Sequence, residues 1–292
     1  MDKKLLDIEN LRVSFPTMRG IAEVVRGVSF SVGKEKIGIV GESGSGKSMT
    51  GRAILKLSPK AAIVKAKKMH FDDVNLLTAS ETQMRTIRGK RISMILQDPK
   101  YSLNPLVRIG DQIMEAYRTH YRVSKVVAWE KTVSMLESVH IRNPEHVMRL
   151  FPHEISGGMG QRVMIAMMLI PKPDLIIADE PTSALDVTVR SQVLSVLDEL
   201  VTKSGMGLIF ISHDLNMIAD FCDRVLVMYA GRILEELPAC DLSRACHPYT
   251  KALLNSLPRL DKPVDVLAVP ERDPDWLHGP TIVNGVEGVY HD

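Results

Sequence analysis

A lysine and a serine placed directly after a run of glycines are equipped to hold a chain of phosphates. Gly41-Glu42-Ser43-Gly44-Ser45-Gly46-Lys47-Ser48 has that arrangement and fits G-x-x-x-x-G-K-[ST] at every position. Glycines let the backbone wrap an anion, while N–H groups at a helix start supply donors and the positive end of the dipole. Lys47 would reach the β- and γ-phosphates, and the Ser48 hydroxyl would ligand Mg²⁺. Met49 follows at the start of the same helix. The motif needs a strand before it and a helix after it. Lys36-Ile37-Gly38-Ile39-Val40 reads as a buried strand, and Met49 to Leu57 continues as a helix until Ser58-Pro59. The segment is read as a nucleoside triphosphate site.

A second set of candidates lies downstream. Asp179-Glu180 closes the apolar run Leu175-Ile176-Ile177-Ala178, and the carboxyl end of a buried parallel strand is where such sheets place ligands. Asp179 would hold Mg²⁺ and Glu180 would polarise an attacking water. The alternative is a pair of helix-capping carboxylates ahead of Pro181-Thr182. Ser156-Gly157-Gly158 opens a helical stretch, where Ser156 can cap and the two glycines leave the first N–H groups unobstructed.

The elements that must position these residues follow from periodicity. Residues 5–15 and 21–32 alternate apolar and polar, as antiparallel strands do. Further strands are expected at 68–72, 91–96, 207–211 and 225–229, with helices at 157–169 and 187–203 and a short one from Asp214. Strands alternating with helices indicate an α/β fold with a mostly parallel sheet. From Asn104 to Phe151 helical spacing dominates, which reads as a helical subdomain (98–155) inserted into a core spanning 1–260. The Pro- and Asp-rich stretch 261–292 lacks periodicity and is expected to be a loosely ordered tail.

Composition bounds the function. The 292 residues are 45% apolar and 25% charged, with a net charge of +2, so no global charge favours nucleic acid. Lys65-Ala66-Lys67-Lys68 reads as a solvated strand edge rather than a binding patch. Cys222, Cys240 and Cys246 are odd in number and without C-x-x-C spacing, which argues against a disulfide framework or a zinc site. No apolar run approaches the ~20 residues of a membrane-spanning helix.

Taken in order, these motifs resemble the nucleotide-binding subunit of an ABC transporter, over about residues 5–260. The resemblance implies a P-loop NTPase core with an N-terminal antiparallel β-subdomain and an inserted helical subdomain. It makes Ser156, Gly157 and Gly158 the signature segment, which grips the γ-phosphate of ATP held by a partner subunit. Gln97, in Leu96-Gln97-Asp98-Pro99, matches the glutamine loop that senses Mg²⁺ and the attacking water. Ser183-Ala184-Leu185-Asp186 matches the dimer-crossing loop, and His213 in Ile211-Ser212-His213-Asp214 matches the switch histidine. Phe15 is either the aromatic that stacks on adenine or a strand core residue.

Finer features resemble the peptide/nickel importer branch: Ser102-Leu103-Asn104-Pro105, Ser156-Gly157-Gly158-Met159 and His247-Pro248-Tyr249-Thr250. Gly160 stands where that branch usually carries arginine. Many relatives continue into a cysteine cluster that can hold an iron–sulfur centre, whereas Val264 to Asp292 contains no cysteine. No iron–sulfur cluster is therefore expected; ATP and Mg²⁺ are.

The implied protein is the ATP-hydrolysing motor of an importer for peptides, nickel chelates or a related solute. It would lie peripherally at the cytoplasmic face of the bacterial inner membrane. Its implied partners are two membrane-spanning permease subunits, a second ATPase (a paralogue favoured over a second copy) and, indirectly, a substrate-binding protein. The competing readings are a soluble ABC ATPase acting on nucleic acid or ribosomes, and a small-molecule kinase, in which the S-G-G segment and His213 have no role.

Overall fold

Alternation at the N-terminus carries one interruption. In β1 (Leu6–Thr17), Leu6, Ile8, Leu11 and Val13 are buried, which requires an extra residue between Ile8 and Leu11. Asn10 supplies it with a left-handed φ of 51°, and the pairing with β2 (Gly20–Val32) shifts register there. A bulge of this kind keeps the apolar set on one face. The computed structural model describes residues 4–183, 185–256 and 273–288. They fall into two compact units, one built from residues up to 78 and from 209 onward, the other from 79–208.

In the first unit β3 (Lys36–Val40) leads to helix α1 (Lys47–Ile54), followed by β4 (Ile63–Lys65), β5 (Lys68–Phe71) and β6 (Val74–Asn75). An antiparallel sheet runs β2-β1-β5-β6, with β4 also on β1. Helix α1 stops at Ile54 rather than continuing to Leu57, because Lys56 adopts a left-handed φ of 52°.

The second unit holds α2 (Glu81–Ile87), β7 (Ile92–Ile95), α3 (Pro99–Ser102), α4 (Ile109–His120), α5 (Lys125–Ser138), α6 (Pro144–Val147), α7 (Gly157–Leu169), β8 (Leu175–Asp179) and α8 (Val187–Ser204). Strands β7 and β8 are parallel and buried throughout. The helical block is part of this larger unit, whose limits at 79 and 208 are wider than the expected 98–155. Tyr121 Oη donates to the Pro171 carbonyl at 2.8 Å, and α4 and α5 both pack on α7.

The chain then returns through β9 (Gly207–Ser212), α9 (Leu215–Phe221), β10 (Arg224–Tyr229), β11 (Arg232–Pro238), α10 (Pro248–Asn255), β12 (Thr281–Val283) and β13 (Val286–Gly288). β10 pairs with β3 in parallel and with β11 antiparallel. All six residues of β9 are buried, at roughly 1.5–3 kcal/mol for each large apolar side chain. Arg224 donates to Glu35 (2.8 Å), Glu236 and the Ser31 carbonyl (2.6 Å). Burial works against its charge, but the two carboxylates outweigh this and raise its pKa.

One expectation needs correction. Part of the stretch read as a loose tail is regular: residues 274–277 form a 3-10 turn, and β12 pairs in parallel with β11 while β13 folds back on β12. Asn284 and Gly285, with φ of 50° and 80°, make the connecting turn, the Asn-Gly pair that tight hairpins favour. Residues 261–272 and 289–292 lie outside the described residues. Cys222 is a core thiol whose pKa burial pushes up to about 12. Among the described residues no helix is long and apolar enough to cross a membrane.

Candidate functional site

The phosphate loop belongs to the first unit. β3 buries Ile37 to Val40 and delivers the chain to Gly41. A Cβ at Gly41 would lie 2.0 Å from the Met228 carbonyl oxygen, and one at Gly46 2.6 Å from that of Val24. Gly46 also has φ 100°, a conformation that side chains disfavour. It is the N-cap of α1 and supplies no side-chain cap, and a helix start is where an anion meets backbone N–H groups and the positive end of the dipole. Lys47 is 5% exposed, and its Nζ donates to the carbonyls of Gly41 and Glu42 (both 2.8 Å) and to Ser45 Oγ (3.4 Å).

The crest of the loop, Ser43 and Gly44, is exposed, and nothing lies within 4 Å of a Cβ placed on Gly44. Ser48 and Met49 are half-buried. The cradle therefore fits a phosphate chain: backbone packed beneath, lysine across it, crest open. Elsewhere in this unit, His213 is exposed at the end of β9, between buried Ser212 and Asp214. Asp214 caps α9 by accepting the Met217 N–H at 3.1 Å. Phe15 is half-buried opposite Ala22, outside the fully buried set of β1.

In the second unit Asp179 ends β8 at 3% exposure. Glu180 follows with φ 46°, left-handed for a residue with a side chain, and positions of this kind cost of order 1–3 kcal/mol. Because Ile95 of β7 lies beside Ala178 of β8, the chain leaving each strand emerges at the same end. Gln97 Nε2 accordingly donates to Glu180 Oε2 at 3.2 Å. Two residues named separately in the sequence are thus brought together. The capping alternative for Asp179 and Glu180 does not hold, since the N-cap of α8 is Asp186, which accepts the Val189 N–H at 3.0 Å. Ala184 of that loop lies outside the described residues.

Ser156 caps α7 by accepting the Met159 N–H at 3.3 Å. Ser156 and Gly157 are exposed, with nothing within 4 Å of a Cβ on Gly157. A Cβ on Gly158 would lie 2.6 Å from Val189 Cγ1 of α8. One contact was not legible from the sequence: the Glu42 N–H donates to Tyr249 Oη at 3.3 Å. His247-Pro248-Tyr249-Thr250 stood out only as a mark of resemblance, and no spacing rule ties it to the loop.

Comparison with known proteins agrees with these motifs. The model of the family described as ABC transporter matches residues 25–183. The oligopeptide transport ATP-binding protein OppD of Bacillus subtilis is 45% identical over 282 residues, covering 95% of this chain and 79% of its own. The dipeptide transport ATP-binding protein DppD of the same organism is 47% identical, covering 89% and 78%. OppD of Salmonella typhimurium is 44% identical, covering 94% and 83%. Among solved structures, a dimeric ATP-binding cassette in a post-hydrolysis state bound to ADP and Pi superposes with a TM-score of 0.72 at 23% identity, covering 80% of this chain and 98% of that one. The cbiO1 protein of Clostridium perfringens gives 0.71 at 22%, covering 83% and 92%; both likenesses support the fold. With a matched family model and relatives of this similarity along most of its length, the chain belongs to the ABC transporter family, as an ATP-binding subunit.

Proposed function

We propose that this subunit is the motor of an importer carrying peptides across the bacterial inner membrane. ATP hydrolysis comes with the family to which the chain belongs. The peptide assignment rests on the named cargo of relatives 44–47% identical over most of the chain; nickel chelates are the second reading by branch resemblance. The subunit would sit peripherally at the cytoplasmic face on two permease subunits fed by a binding protein. A second ATPase, a paralogue favoured over a second copy, would complete the motor.

In this reading residues 41–48 hold the phosphates of ATP, with Lys47 leaving the loop carbonyls for the β- and γ-phosphates. The hydroxyl, amide and carboxylate oxygens of Ser48, Gln97 and Asp179 are the hard donors that suit Mg²⁺, which would neutralise phosphate charge. Glu180 polarises the attacking water and His213 supports the developing charge. Ser156, Gly157 and Gly158 close over the ATP held by the partner, with Asp186 at the crossing. ATP drives closure because the closed pair binds it better than the open one.

The observation that supports this assignment most is the Gln97–Glu180 hydrogen bond at 3.2 Å, a residue proposed to sense magnesium touching the proposed base. The Glu180→Gln chain should lose ATP turnover at least ~100-fold, as loss of a general base does, while binding ATP within about twofold of wild type. Near-normal turnover would remove Glu180 from this role. In cells carrying only the Glu180→Gln chain, uptake of labelled di- and oligopeptides should stop while nickel uptake continues; the reverse pattern would move the substrate to nickel chelates.

A further inference from the structure

The tail residues and the His-Pro-Tyr segment find no part in the proposed hydrolysis cycle, yet Tyr249 touches the phosphate loop and Trp276 of the tail packs on Tyr249. The Gly41 carbonyl and the Glu42 N–H belong to one planar peptide unit. On one side that unit accepts from Lys47 Nζ at 2.8 Å, and on the other it donates to Tyr249 Oη at 3.3 Å. We propose that Tyr249 is a positioning residue for the phosphate loop, and that the tail around Trp276 is the strap that seats it.

Tyr249 is completely buried. Its ring lies 4.8 Å from that of Tyr229 and 5.6 Å from that of Trp276, and Trp276 also meets Tyr229 (5.6 Å) and His247 (5.9 Å). The helix carrying Tyr249 starts at a fixed point. His247 Nδ1 accepts the Tyr249 N–H at 3.1 Å, and buried Glu235 accepts the N–H groups of Cys246 (2.6 Å) and His247 (3.3 Å). Met228, the residue before Tyr229, presents the carbonyl that excludes any side chain at Gly41. The aromatic cluster and the floor of the loop are therefore one packed body.

This arrangement explains why a tyrosine stands here rather than a phenylalanine. The ring fills the core, and the hydroxyl fixes the peptide plane on which Lys47 rests. When Lys47 turns to phosphate, that plane loses the lysine's hold, and Tyr249 keeps its orientation. The effect falls on nucleotide binding in both the ground and transition states, so it moves KM and leaves kcat in place.

The inference rests on the reading of residues 41–48 as the nucleotide site, and the test separates the two. ATP binding to the full chain is measured by calorimetry for wild type, Tyr249→Phe, Trp276→Ala, Lys47→Ala and, as a control for general destabilisation, Leu242→Ala, another buried position. Tyr249→Phe should weaken binding about threefold to tenfold, with KM raised alike, kcat within about twofold and Tm little changed. Trp276→Ala should weaken binding in the same direction, and Leu242→Ala should lower Tm while binding as wild type does. Wild-type affinity in Tyr249→Phe, or equal weakening in Leu242→Ala, would overturn the inference. Lys47→Ala binding ATP as wild type does would remove the loop reading, and this inference with it.

Discussion

Helices α1 and α7 both begin in segments rich in serine and glycine, and their first turns are completed in opposite ways. At α1 the N-cap is a left-handed glycine without a capping side chain, and the space around it is taken by the Val24 carbonyl and the Met228 side chain, beside a lysine 5% exposed. At α7 the N-cap serine does cap, while Ser156 and Gly157 face open solvent. The first start is a cradle finished within its own unit and shaped for an anion. The second is a surface: its helix carries its own cap, and the exposed Gly157 has no described atom within 4 Å of a Cβ placed on it. The proposed motor, binding ATP on one subunit and clamping it with another, would use one start of each kind.

The two glycines of α7 sharpen this contrast most. Gly157→Ala should leave folding stability unchanged, since its Cβ enters open space, but should cut turnover about 100-fold by obstructing the N–H groups that would face the partner's γ-phosphate. Gly158→Ala should instead destabilise the chain by about 1–3 kcal/mol in chemical denaturation, because Val189 is stiff and its Cγ1 lies 2.6 Å away. Equal turnover in wild type and Gly157→Ala would break the comparison. A smaller effect is expected for Ser156→Ala, which removes the cap and should cost about 1 kcal/mol, read from the denaturation midpoint.

The smallest effect concerns pH in the first unit. Burial lowers the pKa of His247 below the ordinary 6.5, against the pull of Glu235. The neutral ring accepts the Tyr249 N–H through Nδ1. Its contribution to stability is complete above that ordinary value and is lost as pH falls through the lowered one. Between about pH 7 and about pH 5, wild type should therefore lose more stability than His247→Asn, whose side chain can cap without titrating. Parallel pH profiles would show that His247 is indifferent to its charge.

What the sequence made legible follows from how local each signal is. The loop could be read because Gly41 and Gly46 are demanded by close backbone contacts and Gly44 by a φ of 80°, and β3 and β8 because their apolar runs are buried throughout. The Gln97–Glu180 contact needed the parallel pairing of β7 and β8, which no local pattern states, although resemblance had named both residues. β11 escaped notice because Glu235 and Glu236 look like surface residues; they are buried against the Cys246 and His247 N–H groups and against Arg224. The tail was misread for want of periodicity in three-residue strands, even though Asn284-Gly285 carried the hairpin signal.

The pairing of β12 with β11 has a consequence for the protein among its own kind. A strand with an unpaired flank is a template on which another chain can add itself. Glu235 and Glu236 are instead matched with Ile282 and Val283 from within, and the hairpin that does this is only a few residues wide. The tail that carries Trp276 thus also covers the outer flank of β11, and a chain cut before residue 281 would expose that flank to self-association.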